Sequence, residues 1–239
     1  MTRATTGDEQ MQEAVLPGTP PIGITLRKST RARRISLRVS GLDGRVTLTL
    51  PPRVPVAEAM GFVRQKEDWI RRQLAGQPVS VTVGPGTVLP IDGRERRIEA
   101  DGGRGVRLGD AVLHVPAGGQ TGARVEGYLR QVARDRLAAA SDRHAATLGV
   151  GYGRLTLRDT RSRWGSCSSQ GDLMYSWRLI LAPPDVLDYV AAHEIAHRVR
   201  MDHSAAFWAV VAQLMPTYDR PRGWLKINGA GLHRWRFRA

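Results

Sequence analysis

The stretch His193-Glu194-Ile195-Ala196-His197 constrains the fold of this 239-residue chain more than any other feature. Residues i and i+4 of an α-helix lie one above the other, so the pattern predicts a helix that presents both imidazoles on one face. Two imidazoles in that arrangement can bind one zinc ion, and the glutamate beside the first can take a proton from water on the metal. We therefore predict a metal site on this helix.

A catalytic zinc site usually has three protein ligands and one open position, so a third donor must come from elsewhere in the chain. Glu194 is the last glutamate, which leaves histidine and aspartate as downstream donors. The candidates are His203, His233, Asp202 and Asp219. His203 lies at the position of the third histidine in the pattern H-E-x-x-H-x-x-G-x-x-H. However, six residues of unbroken helix advance the angle by about 600°, which would carry His203 off the face that holds His193 and His197.

We therefore expect the helix to end near Arg200 or Met201 and the chain to turn back. Asp202, His203 and Ser204 are suited to that turn and to the start of the apolar helix at residues 205–214. A surface or capping role for His203 is the competing interpretation. Asp202 or Asp219 would then be the reserve ligand, and Asp202 is equally suited to fix a histidine tautomer.

Charge is the second unusual property, because the chain carries a formal net charge of +14. Residues 27–38 contain six basic and no acidic residues, and so do the last twenty residues. Such segments indicate a nucleic-acid partner, an acidic substrate or simply a solvated basic face. No zinc finger, homeodomain or RNA-recognition pattern accompanies them, so nucleic acid stays the less favoured partner.

Residues 1–21 are polar and lack the apolar segment of a signal peptide, so we expect a disordered leader there. No apolar run reaches the ~18 residues of a membrane span, so we predict no contact with a membrane. The lone Cys167 excludes an internal disulfide and predicts a cytoplasmic protein. Cys167 could be a nucleophile or a fourth zinc ligand, but a buried structural thiol is the favoured interpretation.

Residues 22–120 have the pattern of a β-rich region with one helix. Apolar residues alternate from Ile35 to Leu50 around an Asp43-Gly44 turn, which predicts a β-hairpin, and residues 22–26 form a further strand. Residues 56–76 have helical periodicity. Short strands separated by Gly- and Pro-rich breaks follow over residues 79–116.

Residues 121–239 have a different organisation. A long helix is predicted over residues 122–148, then strands at 154–160 and 172–181, then a buried helix that begins near Pro183 and carries the two histidines. In zinc proteases a peptide can pair with an edge strand beside the metal. Met174–Arg178 is our candidate for that strand, with a purely structural strand as the alternative.

Several stretches resemble the YgjP-like metallopeptidase family and, more loosely, SprT-like and WLM-type proteases. They are Arg33–Val39, Trp69-Ile70, Arg163–Ser168, Trp177–Pro183, Tyr189–His197 and His203–Trp208. The resemblance implies a zincin-like core, His193, His197 and His203 as zinc ligands, and Glu194 as the catalytic acid/base. It also suggests a use for the basic segments, because the looser relatives act on proteins crosslinked to DNA.

We therefore expect an α+β protein whose β-rich N-terminal part packs with a zincin-like core over residues 121–239. The predicted function is a zinc metallopeptidase with one Zn²⁺ per chain, a protein or peptide substrate, and Glu194 as general base. Tyr189 and Tyr218 are candidates to stabilise the oxyanion, and Met215 to lie beneath the metal. The alternatives are a nucleic-acid-associated module with a structural or vestigial zinc, and hydrolysis of a non-peptide amide.

Overall fold

The computed structural model describes residues 11–41, 44–76 and 79–238. The chain divides between Val79 and Ser80 into two compact units. Helices and mainly antiparallel sheets occupy separate segments of each unit, which confirms the α+β class. Among the described residues, no helix is long and apolar enough to cross a membrane.

The first unit is a four-stranded sheet with two helices. The elements are β1 (Met11–Leu16), β2 (Ile22–Lys28), β3 (Ser36–Val39), β4 (Val46–Leu50), α1 (Val56–Gln65) and α2 (Glu67–Ala75). The strand order is β1-β2-β4-β3, with β2 and β4 parallel and the other pairs antiparallel. The alternate residues Val46, Leu48 and Leu50 are fully buried against α1 and α2, as a half-buried strand requires.

Three details of this unit differ from expectation. The disordered leader predicted to residue 21 is wrong from residue 11, because Leu16 is buried and β1 pairs with β2 along its length; residues 1–10 lie outside the described residues. The helix predicted over 56–76 is two helices that meet at Lys66, whose backbone leaves the helical region at φ −102° and ψ 11°. The hairpin is confirmed as β3 and β4, although Asp43 of its turn also lies outside the described residues.

The second unit begins with a small sheet that the sequence grouped with the N-terminal region. Its first strands are β5 (Val81–Thr82), β6 (Val88–Ile91), β7 (Arg94–Asp101), β8 (Arg107–Leu108) and β9 (Val112–Pro116). β6 to β9 form a sheet in the order β6-β7-β9-β8. Residues 80–120 belong to this unit because Ile98, Leu113 and Val115 share one core with Val125 and Leu129 of the next helix.

Helix α3 (Thr121–Leu148) follows, close to the predicted bounds, and ends at Gly149 in the left-handed conformation that terminates helices. The next sheet contains β10 (Leu155–Arg158), β11 (Gly165–Cys167) and β12 (Leu173–Ser176) in the order β10-β12-β11. The predicted strand over 172–181 is wrong beyond Ser176, because Trp177–Leu181 is a buried 3₁₀ helix. The segment between the two predicted strands, residues 161–171, contains β11.

The remaining elements complete the unit. They are α4 (Pro184–Ala196), α5 (Ala205–Leu214), α6 (Asp219–Asn228), a 3₁₀ helix at Gly229–His233 and β13 (Trp235–Arg236), which pairs with β5. Helix α4 packs against α3, α5, α6 and β11. Nine of the 13 residues of α4 are buried, and this helix carries His193 and Glu194.

Candidate metal centre

The chain reverses direction directly after α4, and this reversal returns His203 to the helix. α4 ends at Ala196, with His197 as its C-cap, which is earlier than the predicted end near Arg200 or Met201. The Arg200 N–H still bonds the Ala196 carbonyl at 3.0 Å, which closes a final turn. Asp202 then accepts bonds from the Ser204 N–H (3.3 Å) and hydroxyl (2.7 Å), so α5 begins at Ala205.

The reversal brings three imidazoles together. One ring nitrogen from each of His193, His197 and His203 lies within 4.8 Å of the others. The Nε2 atoms of His193 and His203 are 3.1 Å apart. His197 is buried, His193 half-buried and His203 exposed, so the cluster is open to solvent on one side. Among the described residues no other group of three histidine, cysteine or acidic side chains has such spacing.

The cluster has the protonation and hydrogen bonding of a ligand set. The pKa of His193 is lowered to about 3, mainly by burial and to a smaller extent by the charges of His197 and His203. Burial also lowers the pKa of His197. Neutral imidazoles keep a lone pair for a metal. Nδ1 of His197 lies 2.9 Å from the Arg200 carbonyl, so Nδ1 donates and Nε2 is left as the ligand atom. Buried Nδ1 of His193 has no hydrogen-bond partner. These donors suit zinc.

Aromatic side chains of α5 form the floor of the cluster. The Phe207 ring is fully buried, and its centroid lies 4.5 Å from that of His197 and 4.8–4.9 Å from those of His203 and His193. Trp208 lies beside His193 at 5.7 Å. Sequence reasoning assigned neither residue a role. Their position four and five residues after His203, at the start of a helix, was the available signal.

Glu194 points toward β11. A Cβ placed on Gly165 would lie 2.5–2.8 Å from the atoms of its side chain, so this carboxyl occupies the space that glycine leaves. Burial raises the pKa of Glu194 to about 8, although a hydrogen bond from the Cys167 N–H and the charge of Arg163 act in the opposite direction. A buried carboxyl of this kind is a strong base once it is ionised. Sequence analysis assigned no role to Gly165.

The strand next to Glu194, β11, lies at the edge of its sheet, and the Cys167 N–H on its outer side bonds the Glu194 carboxyl. The Trp164 carbonyl accepts a hydrogen bond from the Ser176 N–H, and the Ser168 N–H donates one to the Asp172 carbonyl. Every second residue from Trp164 to Ser168 therefore directs its backbone groups toward β12. Gly165 and Cys167 therefore direct their backbone groups to the opposite edge. The prediction of Met174–Arg178 as the edge strand is wrong, because β12 is the middle strand of its sheet. The edge beside the site is β11.

The other predicted ligands lie apart from the imidazoles. His233 packs against Trp164 at 5.1 Å between ring centres, and burial lowers its pKa to about 4. Asp219 is 80% exposed at 3.8 Å from Arg222. The Asp202 carboxylate accepts a hydrogen bond from the Ser204 hydroxyl. The half-buried Cys167 has a pKa raised by burial, which favours the structural interpretation over a nucleophilic thiolate.

The two candidate tyrosines lie on the α6 side of the site. Tyr189 is buried, its ring is 6.0 Å from that of His193, and burial raises its pKa to about 12. Tyr218 is half-buried, and its ring stacks on that of Trp208 with the centroids 5.5 Å apart. The Arg222 guanidinium lies 4.2 Å from the centroid of the same Trp208 ring. Met215 packs against the main core.

Comparison with known protein families assigns this chain to one of them. The family model described as "YgjP-like, metallopeptidase domain" matches residues 33–228. The metallopeptidase zymogen of Pyrococcus abyssi abylysin is similar over 38% of this chain and 95% of its own, at 18% identity and a TM-score of 0.34, a likeness too weak to support an argument. The comparison with curated proteins finds no match. Because the family match spans most of its length, this chain belongs to the YgjP-like metallopeptidase family.

Proposed function

We propose that the protein is a zinc-dependent peptidase in which His193, His197 and His203 bind one Zn²⁺ and Glu194 is the general base. The observation that carries the proposal is the convergence of three imidazoles on a helix that also carries a buried carboxyl. The 3.1 Å approach of the His193 and His203 Nε2 atoms supports it, because a cation shared by the two lone pairs would stabilise this arrangement.

When bound, zinc supplies Lewis acidity toward a water molecule and toward the scissile carbonyl. Glu194 accepts the proton of that water and then donates it to the leaving amine. The Cys167 N–H, which bonds the Glu194 carboxyl, orients it during both transfers. Of the two tyrosines, half-buried Tyr218 is better placed than buried Tyr189 to reach a substrate oxygen, and we propose it as the oxyanion donor.

The outer edge of β11 is the proposed substrate platform. Gly165 has both backbone hydrogen-bonding groups on this edge, next to the Glu194 side chain. An extended peptide could therefore pair with β11 and place a backbone carbonyl near the imidazoles. This favours a protein or peptide substrate in an extended conformation over a small amide.

The test combines zinc content with cleavage of an unfolded polypeptide, using protein purified without a histidine tag. We expect about one zinc per wild-type chain, retained in Glu194→Gln and lost in His203→Ala. Glu194→Gln should lower the cleavage rate by roughly 10²- to 10⁴-fold. The matched controls are His114→Ala and Glu99→Gln, which lie outside the site and should change neither quantity.

Absence of stoichiometric zinc after zinc is supplied would overturn the proposal, as would full cleavage by Glu194→Gln. The nucleic-acid module, by contrast, predicts binding that survives Glu194→Gln and weakens steeply with salt. Nothing in the family match supports that alternative. Part of the C-terminal basic segment is also engaged within the protein, since Arg238 bonds Glu126 at 2.9 Å and Arg234 lies over Trp235.

A further inference from the structure

An open groove of about 510 Å³ crosses the outer face of the β10-β12-β11 sheet. The opposite face is apolar, because Leu173 and Tyr175 are buried in the core. On the outer face the cross-strand neighbours Thr156, Met174 and Ser166 form the base of the groove. The groove is thus one continuous surface from β10 to the edge strand β11.

Three arginines surround this groove. Arg158 belongs to β10, Arg154 directly precedes that strand, and Arg163 precedes β11. Among the described residues, Asp172 is the one acidic residue that lines the groove, and it lies 4.0 Å from Arg154. Within the part of the chain that the structure describes, neither the Arg158 nor the Arg163 side chain makes an ion pair or hydrogen bond with an acid. The groove therefore has an excess of positive charge.

The groove also contains the hydroxyl groups of Ser162 and Ser166, whereas the Thr156 hydroxyl donates to the Leu173 carbonyl at 3.3 Å. Guanidinium and hydroxyl groups together donate to both oxygens of a carboxylate, and charged acceptors make the stronger hydrogen bonds. A purely solvated basic face does not need a concave shape or hydroxyls between the arginines. The surface has the composition of a site for carboxylates.

The groove is connected to the proposed catalytic base. Cys167 lines it and donates its N–H to the Glu194 carboxyl, and the charge of Arg163 acts on the same carboxyl. A peptide paired with the outer edge of β11 would lie about 4.8 Å from that strand. Every second side chain of the peptide would then stand on the outer face, next to Ser166 and Arg163.

We propose that this groove binds acidic side chains of the polypeptide substrate, so that the enzyme prefers extended segments with glutamate or aspartate at alternate positions. The proposal rests on the proposed peptidase function for the placement of the substrate along β11. Arg163 and Ser166 contact the first acidic side chain, whereas Arg154 and Arg158 attract it from the far wall. The net charge of +14 steers acidic polypeptides toward the same surface.

The experiment compares two peptides of equal length that carry either Glu or Gln at alternate positions. Binding is measured by fluorescence anisotropy on zinc-loaded Glu194→Gln protein, and cleavage on the wild type. The double variant Arg154→Gln/Arg158→Gln should weaken binding of the Glu peptide by about five- to tenfold, as expected for the loss of two exposed ion pairs. The control Arg94→Gln/Arg104→Gln removes the same charge elsewhere and should leave the affinity unchanged.

The outcomes separate the two proposals. Equal affinity for the Glu and Gln peptides, or equal losses in the double variant and its control, would overturn the groove assignment even if both peptides are cleaved. A preference for the Glu peptide without cleavage of either would overturn the peptidase and support the groove. A single-stranded oligonucleotide that binds more tightly than the Glu peptide, and loses affinity in the same double variant, would assign the groove to nucleic acid instead.

Discussion

Two polar clusters in the second unit differ in how completely their hydrogen bonds are made. Arg178 bonds both oxygens of Asp159 at 2.6 and 3.0 Å and the carbonyls of Leu232 and Trp235 at 3.1 and 3.0 Å. Its guanidinium also lies 4.9 Å from the Trp177 ring. The imidazole cluster has instead two facing Nε2 atoms and a buried nitrogen without a partner.

The difference separates a structural polar cluster from a binding site. Buried polar groups cost free energy unless their partners are present, so the Arg178 cluster is complete and needs nothing further. The imidazoles form an incomplete set, and a ligand from outside would complete it. The first cluster should therefore matter for folding in every condition, and the second only when metal is present.

The largest expected effect is on folding. Arg178→Met should lower the free energy of unfolding by roughly 3–5 kcal/mol, because it leaves Asp159 and two carbonyls without their donor. Urea denaturation measures the change. Arg158→Met, at an exposed arginine without a partner in the described residues, is the control and should stay within about 0.5 kcal/mol of wild type. A loss below 1 kcal/mol for Arg178→Met would remove the distinction between the clusters.

The second effect concerns metal. Zinc at about 1,000 times its Kd should stabilise the protein by roughly 4 kcal/mol, seen as a rise in Tm. In His203→Ala this rise should disappear, while the metal-free protein keeps the wild-type Tm, because the exposed imidazole contributes little by itself. A metal-free His203→Ala that is strongly destabilised would show that the imidazoles are a structural cluster after all.

A smaller effect is expected at the close contact between Gly165 of β11 and the Glu194 side chain. Gly165→Ala would place a methyl group within 2.5–2.8 Å of the Glu194 side chain and should cost about 1–3 kcal/mol. Cleavage should fall while zinc content is kept, because the base moves and the imidazoles do not. Gly151→Ala, where no atom lies within 4 Å of the added carbon, is the matched control. Unchanged cleavage by Gly165→Ala would exclude Glu194 from the chemistry in its present position.

The smallest expected effect is the pH dependence of the stability that the Arg178–Asp159 pair contributes. Burial raises the pKa of Asp159, but the hydrogen bonds and charge of Arg178 outweigh burial and hold the pKa below its usual 3.8. Stability from this pair is therefore present above pH 3.8 and is lost as the pH falls through the folded pKa. Unfolding of the wild type and Asp159→Asn across acidic pH measures this. An equally steep loss in Asp159→Asn would refute it.

The sequence predicted the helical histidines and α3 because their signals are local and periodic. β11 was missed because Gly165-Ser166-Cys167 is too short and too polar to show alternation, and only pairing with β12 makes it a strand. The Arg178 cluster was missed for a related reason, since its partners come from residues 159, 232 and 235. Contacts between residues distant in sequence leave no periodic pattern.

The partners of Arg178 also bear on the order in which the protein is made. During synthesis the chain emerges from its N-terminal end, and domains generally fold as units. Arg178 and the helix with Glu194 leave the ribosome well before Leu232 and Trp235, whose carbonyls the guanidinium requires. Until those residues follow, the Arg178 guanidinium next to α4 lacks half of its acceptors. The Arg178 cluster therefore forms only after the whole segment from residue 159 to residue 235 has been made.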